Sequence, residues 1–282
     1  MTRLGGILTL VRISFVRYSR CLRWSPSLLF AVGVSYLYSI SSIVKGDFIT
    51  SHLGKIEITV TTVDGKIFKV TIDSLGTVAQ ICQEFQENVR SDVPEIQTIV
   101  DVGAHVGIFT VYAASKFQLC KVIAVEPNPA NYRLLLRNID LNRLRNVVPI
   151  RAAITASEGH KQFWTSASSL GGSLTRRSRG SPITVLCRSL DSLLRENEAL
   201  PSLLLKIDAE SSELSILDGA SDSLARTVLI VAEVDKANLP EVCAILSSKG
   251  FNIRIEEDDD AHFRISAGRK NANRQDCNLG EA

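Results

Sequence analysis

One segment constrains this chain more than any other. The apolar run 98–102 carries Asp101 near its end and passes straight into Gly103-Ala104-His105-Val106-Gly107, after which an apolar segment of helical character begins. A buried strand, a glycine turn and a helix in that order form the opening unit of a nucleotide-binding α/β domain. The rest of the chain continues the pattern. Apolar runs suited to strands fall at 98–102, 121–125, 147–154, 183–188, 203–207, 227–234, 251–256 and 262–267. Segments of helical character fall between them at 107–117, 129–142, 189–198, 211–225 and 239–249, with Pro240 suited to a first helical turn and Gly250 to a helix end. Such alternation predicts a mostly parallel sheet covered by helices on both faces.

The glycine spacing narrows the ligand. A dinucleotide loop reads G-x-G-x-x-G, so that the backbone can approach a pyrophosphate. Here the pattern is D-x-G-x-x-x-G, with His105 where the second glycine belongs. That argues against NAD or FAD. It suits a ligand without phosphate, whose amino-acid end meets the loop amides and the Asp101 carboxylate, and S-adenosyl-L-methionine has that composition. The strand 121–125 then delivers Glu126, followed by Pro127-Asn128-Pro129. A carboxylate at the end of the second strand is placed to accept both hydroxyls of a ribose. A surface acid favoured by a helix dipole is the plainer account of Glu126. The two motifs together favour adenosine recognition.

A third motif, Leu204-Leu205-Lys206-Ile207-Asp208-Ala209-Glu210, sends an apolar strand into two carboxylates. They arrive at the sheet edge where open α/β folds bind ligands. Asp208 and Glu210 are candidates for orienting a substrate hydroxyl or accepting its proton. Lys206 interrupts an apolar strand and needs a carboxylate partner or a route to the rim. The plainer accounts are a helix cap for Asp208 and a structural ion pair for Lys206. Ser211, Ser212 and Glu213 suit the first turn of the next helix. Glu233 ends a similar apolar strand and is a further candidate.

Ahead of this domain lies an unusual leader. The mean hydropathy of +0.13 is high for a soluble enzyme, and the excess sits largely in residues 1–44. That stretch holds Arg3, Arg12, Arg17, Arg20 and Arg23 and no acid. Leu4, Ile7, Leu8, Val11, Phe15, Tyr18 and Leu22 fall on one helical face. Two placements stay open: peripheral contact with an anionic membrane surface, or docking on the domain. The uncharged stretch 25–44 carries six serines, Pro26 and Gly33, which disfavours a spanning helix. Residues 45–95 read as a lead-in: β-rich runs at 56–60 and 66–72 around an Asp64-Gly65 turn, then a helix over 77–90. Residues 96–268 read as the α/β domain, and 269–282 as a frayed polar tail.

The balance of 32 basic against 30 acidic residues leaves no basic stripe of the kind nucleic-acid binders carry. No cysteine pair and no histidine stands at metal-ligand spacing, so no metal site is expected. The six unpaired-looking cysteines agree with a reducing, cytoplasmic compartment.

The ordered set V-D-V-G-A-H-V-G-I-F-T at 100–110, V-E-P-N-P at 125–129, Asn138, L-L-K-I-D-A-E at 204–210, L-D-G-A at 217–220 and V-A-E-V at 231–234 resembles the FkbM-type methyltransferases. The resemblance covers about residues 98–235, and the lead-in also resembles that family's N-terminal extension. It implies a Rossmann-like class I fold with a seven-stranded sheet and one antiparallel strand near its end. It implies methyl transfer from S-adenosyl-L-methionine, usually to a hydroxyl oxygen of a sugar, glycan, lipid or natural product. By position, Asp101, Gly103, Ala104, His105 and Gly107 would hold the methionine part and Glu126, with Pro127 and Asn128, the ribose. Asp208 and Glu210, with Lys206, would face the acceptor. Ser211 departs from the family's usual glycine and puts the acceptor turn in question. The Ser-, Gly- and Arg-rich segment 165–181 is the candidate substrate loop. Competing readings are a Rossmann oxidoreductase, a nucleic-acid methyltransferase, and a non-enzymatic membrane-associated binding protein that keeps a methyltransferase fold.

Overall fold

A computed structural model describes residues 22–23, 56–75, 77–79, 81–82, 96–165, 172–174, 182–257 and 262–269. Most of the leader, much of the expected 77–90 helix and the segment 165–181, and the tail beyond Arg269 lie outside the described residues.

The first strands among the described residues form an antiparallel hairpin of β1 (Glu57–Thr61) and β2 (Ile67–Thr71). Gly65 takes the left-handed φ of 88° that the Asp64-Gly65 turn needs. The main sheet then begins with β3 (Thr98–Val102), α1 (Ile108–Lys116), β4 (Lys121–Val125), α2 (Pro129–Leu141) and β5 (Val147–Ile150). It resumes with β10 (Leu203–Ile207), α4 (Glu213–Asp218), α5 (Ser221–Arg226), β11 (Thr227–Asp235), α6 (Leu239–Ser248), β12 (Phe251–Glu257) and β13 (His262–Arg269). The strand order is β12-β13-β11-β10-β3-β4-β5. All neighbours run parallel except β13, which is antiparallel to both β11 and β12. The seven-stranded, mostly parallel Rossmann-like sheet expected from the sequence is present. Its interior strand β3, between β10 and β4, is buried at every position, as a strand covered on both faces must be.

The chain leaves this sheet between β5 and β10, and here the structure corrects the reading. The run 147–154 breaks at Arg151: β5 pairs with β4, whereas β6 (Ala153–Ile154) pairs with β9 (Pro182–Arg188). The strand expected at 183–188 therefore joins a separate four-stranded sheet, ordered β6-β9-β7-β8, with β7 (Gly159–Thr165) and β8 (Gly172–Ser173). The physical reason is legible in β9. Val185 and Cys187 are buried while Thr184 and Leu186 are exposed, an alternation that belongs to a sheet with one covered face. After β9 comes α3 (Leu190–Glu196), capped by the Ser189 hydroxyl.

The helix expected over 211–225 is two helices, α4 and α5, broken at Gly219. A Cβ at Gly219 would come within 2.8 Å of the Thr155 carbonyl, so a continuous helix with side chains has no room there. The freed N-terminus of α5 is capped from α3: Asp191 accepts from the backbone N–H groups of Asp222 and Ser223 at 3.0 and 2.7 Å.

Two ends of the expected organisation also change. Leu22, placed on the apolar face of a leader helix, instead bridges to Thr62 and is buried in the hairpin's core with Phe68, Val70 and Tyr112. Arg269, placed in a frayed tail, closes β13. Its guanidinium donates to the carbonyls of Thr227, Leu224 and Lys249 and lies 4.7 Å from the Phe251 ring centre. Among the described residues no helix is long and apolar enough to cross a membrane.

Candidate active site

The site lies at the carboxyl ends of β4, β3, β10 and β11, with the first residue of β13 at the far end. The glycine turn leaves β3 through Gly103 at φ 78°, His105 at φ 53° and Gly107 at φ 85°. Its shape is held from beneath. The N–H groups of Gly103 and Ala104 both donate to the Val125 carbonyl, at 3.0 and 2.9 Å. A Cβ on Gly103 would fall 1.7 Å from the Asp208 carbonyl oxygen, so only glycine lets the turn after β3 meet the turn after β10. A Cβ on Gly107 would strike Leu135 of α2 at 2.4 Å.

Glu126, the residue after β4, is almost wholly buried, with 5% exposure. One carboxylate oxygen accepts the His105 N–H at 2.9 Å and the other the Asn128 N–H at 2.8 Å. Glu126 thereby joins the glycine turn to the start of α2, where the Asn128 side chain caps the Ala130 N–H. Pro127 beside it is half-buried. Burial pushes the Glu126 carboxyl up to about 7, against the lowering pull of the two N–H groups and of Lys206.

Asp101 is fully buried. Its Oδ2 accepts from the Thr110 hydroxyl at 2.6 Å, and its Oδ1 lies 3.1 Å from the Lys206 ammonium. Lys206 also reaches Asp208 Oδ2 at 3.2 Å and donates to the Gly103 carbonyl at 3.1 Å. One buried ammonium thus joins the glycine turn, the acid beneath it and the acid beyond β10. Burial opposes that charge, but the two carboxylates outweigh it and hold Lys206 above the ordinary lysine range. Asp208 keeps 42% of its side chain exposed, whereas Asp101 supports the turn from below.

Glu210 and Ser211 follow at φ 46° and 71°, two consecutive non-glycine residues in the left-handed region. The Ser211 N–H donates to Glu213 Oε1 at 2.9 Å, and the other oxygen of Glu213 accepts from Asn238 at 2.9 Å. Burial raises the Glu213 carboxyl despite the Asn238 bond. The Ser211 hydroxyl bonds to Asp235, and Asp235 Oδ1 lies 3.2 Å from His262 Nε2. Glu233 sits 3.8 Å from the other ring nitrogen of His262.

The structure therefore brings Asp101, Gly103, His105, Gly107, Glu126, Lys206 and Asp208 into one connected cluster. Glu210 stands beside it on the strained turn. Sequence reading missed Thr110, Asp235 and His262. Thr110 lies nine residues beyond Asp101, one turn into α1, and Asp235 shares its strand face with Glu233, so both had a positional signal. His262 had none, because it arrives through the antiparallel register Asp235↔His262.

A doubly covered parallel sheet with one antiparallel strand, a glycine turn after the first strand and an acid after the second define a class I methyltransferase architecture. The Methyltransferase FkbM domain matches residues 101–253, and the chain belongs to that family. The family's methyl donor is S-adenosyl-L-methionine. Among its relatives is the methyltransferase sdnD of Sordaria araneosa, 29% identical over 64% of this chain and 84% of that protein. The hexuronic acid methyltransferase AglP of Haloferax volcanii is 26% identical over 68% of this chain and 81% of that protein. The 31-O-demethyl-FK506 methyltransferase FkbM of Streptomyces tacrolimicus is 27% identical over 57% and 74%. Among solved structures, M. jannaschii TYW2 in complex with AdoMet shows a TM-score of 0.44 at 18% identity, over 76% of this chain and 86% of that one.

Proposed function

We propose that the chain transfers a methyl group from S-adenosyl-L-methionine to a hydroxyl oxygen of a small-molecule or glycan acceptor. The observation that carries this reading is the Lys206 bridge, which ties Asp101 beneath the glycine turn to the half-exposed Asp208. The acceptor class is supported by relatives named for a hexuronic acid and for a 31-O-demethyl natural product.

The residues fit the donor chemically. A carboxylate offers about four lone-pair sites. Glu126 uses its two oxygens on two backbone N–H groups and keeps capacity for two ribose hydroxyls. Pro127 and Asn128 flank it, and Asn128 holds the start of α2. The turn Gly103-Ala104-His105 with Gly107 cradles the amino-acid end. When bound, the donor supplies a methyl group on a positively charged sulfur, already joined to a good leaving group. Lys206 neutralises buried Asp101 and fixes the Asp208 carboxylate. Asp208 orients the acceptor hydroxyl and takes its proton. Glu210 adds a second acceptor-side carboxylate. In this reading Asp101 contributes through the turn and Lys206.

Tritium transfer from methyl-labelled S-adenosyl-L-methionine into lysate small molecules and glycans tests the activity. We expect Asp208→Asn to lose at least about a hundredfold in transfer, the usual range for an acid–base group, with S-adenosylhomocysteine affinity in calorimetry retained. Unchanged transfer would remove Asp208 from the mechanism. The residues 1–44 are proposed to contact a membrane surface or the domain. Vesicle co-sedimentation of the full chain, with and without those residues, separates the two.

A further inference from the structure

We propose that Asp235 is a positioning residue for the turn Asp208–Ser211. The role rests on reading that turn as the acceptor side of the methyl-transfer site. Two consecutive non-glycine residues in the left-handed region persist only where their surroundings hold them. Here the left-handed pair is Glu210 and Ser211, at φ 46° and 71°. Ser211 is gripped at both ends: its N–H by Glu213 and its hydroxyl by Asp235. Asp235 is the last residue of β11 and only 5% exposed. Its second oxygen meets His262 Nε2 at 3.2 Å, and the two residues face each other in the β11–β13 register. The link therefore runs from the turn after β10, across β11, to the antiparallel strand β13.

The turn transmits its position to the cofactor side. The Asp208 N–H donates to the Val102 carbonyl at 3.0 Å. The Asp208 carbonyl occupies the space that a Gly103 side chain would need. Its carboxylate takes one arm of Lys206. A turn released at Ser211 moves the group that both the glycine loop and Lys206 lean on. Asp235 acts on the site through this contact chain.

The left-handed angle supplies a direct test, because glycine adopts φ near 71° without strain and needs no grip. The full chain is titrated with S-adenosylhomocysteine, and amide exchange is followed over residues 207–214. Asp235→Ala is expected to weaken binding about tenfold, the scale of one lost charge-assisted hydrogen bond, and to speed exchange in the turn. Adding Ser211→Gly to Asp235→Ala is expected to restore affinity to within about threefold. Asp235→Asn, which keeps an acceptor for the Ser211 hydroxyl, is expected to stay near wild type. Wild-type affinity and exchange in Asp235→Ala would overturn the proposal. So would failure of Ser211→Gly to restore it. If Asp235→Ala alone does not fold, Ser211→Ala measures the same link from its other end, and unchanged exchange there overturns it. If the wild-type chain does not bind S-adenosylhomocysteine, the cofactor reading falls, and turn exchange in Ser211→Ala still decides the role of Asp235.

Discussion

Lys206 and Glu126 show how single residues at this site depend on what surrounds them. Lys206 stands in an apolar strand, yet its ammonium lies 3.1 and 3.2 Å from the carboxylates of Asp101 and Asp208. Removing one partner of a buried ion pair leaves the other uncompensated, at a cost of about 3–5 kcal/mol. Lys206→Met is therefore expected to lower stability by that order in urea denaturation, since buried Asp101 then keeps, among the described residues, the Thr110 hydroxyl alone. Glu126 is raised by burial from 4.5 to about 7. A carboxyl raised in the folded state stabilises the fold fully below its unfolded value. That contribution is lost as pH rises from about 4.5 through about 7, as the buried group is forced to ionise. Binding to ribose hydroxyls favours the ionised form, so the two effects have opposite sign. S-adenosylhomocysteine affinity is expected to rise about tenfold between pH 6 and 8, following the ionised fraction of a group near 7. Glu126→Gln should flatten that profile in calorimetry. The identities of these residues were readable in the chain, because each sits at a strand end next to a recognisable motif. Their charge states were not readable, because burial and partners set them.

At the scale of elements, Asn138 is the instructive case. The sequence alone suits it equally to a cap or surface place and to a functional one. In the structure it is fully buried on α2. Its carbonyl accepts the Lys69 N–H at 2.7 Å, and its amide donates to the carbonyls of Lys69 at 3.1 Å and Val106 at 2.7 Å. One helical turn later, Asn142 makes the matching pair with Ile67, accepting at 3.0 Å and donating at 2.7 Å. Residues two apart on a strand and four apart on a helix are both separated by roughly 6 Å. The two asparagines therefore act as a neighbouring strand for the open edge of β2 and tie the hairpin to the glycine turn. Asn138→Ala leaves several buried groups unpaired, each costing about 1–3 kcal/mol. It is expected to destabilise the chain by roughly 2–4 kcal/mol, with faster exchange at Ile67 and Lys69 amides. The element assignments that held were those with a clear period or punctuation, such as the hairpin at Asp64-Gly65 and the helix ended by Gly250. Those that shifted involved a break that neighbours impose: the division of the 211–225 helix depends on how close Gly219 lies to Thr155.

For the whole molecule, closure comes from residues far apart in sequence. Leu22 is buried in the hairpin's core, and the Arg23 N–H donates to the Thr61 carbonyl at 2.7 Å. At the other end Arg269 fastens β13 to the end of α5 and to the turn after α6. A chain ended at Gly268 loses three hydrogen bonds from one guanidinium and its contact with Phe251. It is expected to lose about 1–3 kcal/mol in thermal or urea denaturation.

The sequence by itself determined the class of sheet, the place of the glycine turn and the family. These follow from local order: a doubly buried strand reads as an unbroken apolar run, and a turn that admits only glycine shows its glycine. The tertiary structure decided which strands joined the main sheet, what Lys206 pairs with, how Asn138 is used, and that Asp235 and His262 meet beside Ser211. Those are contacts between residues brought together by register and crossover, and a chain read along its length carries no distance between Ser211, Asp235 and His262.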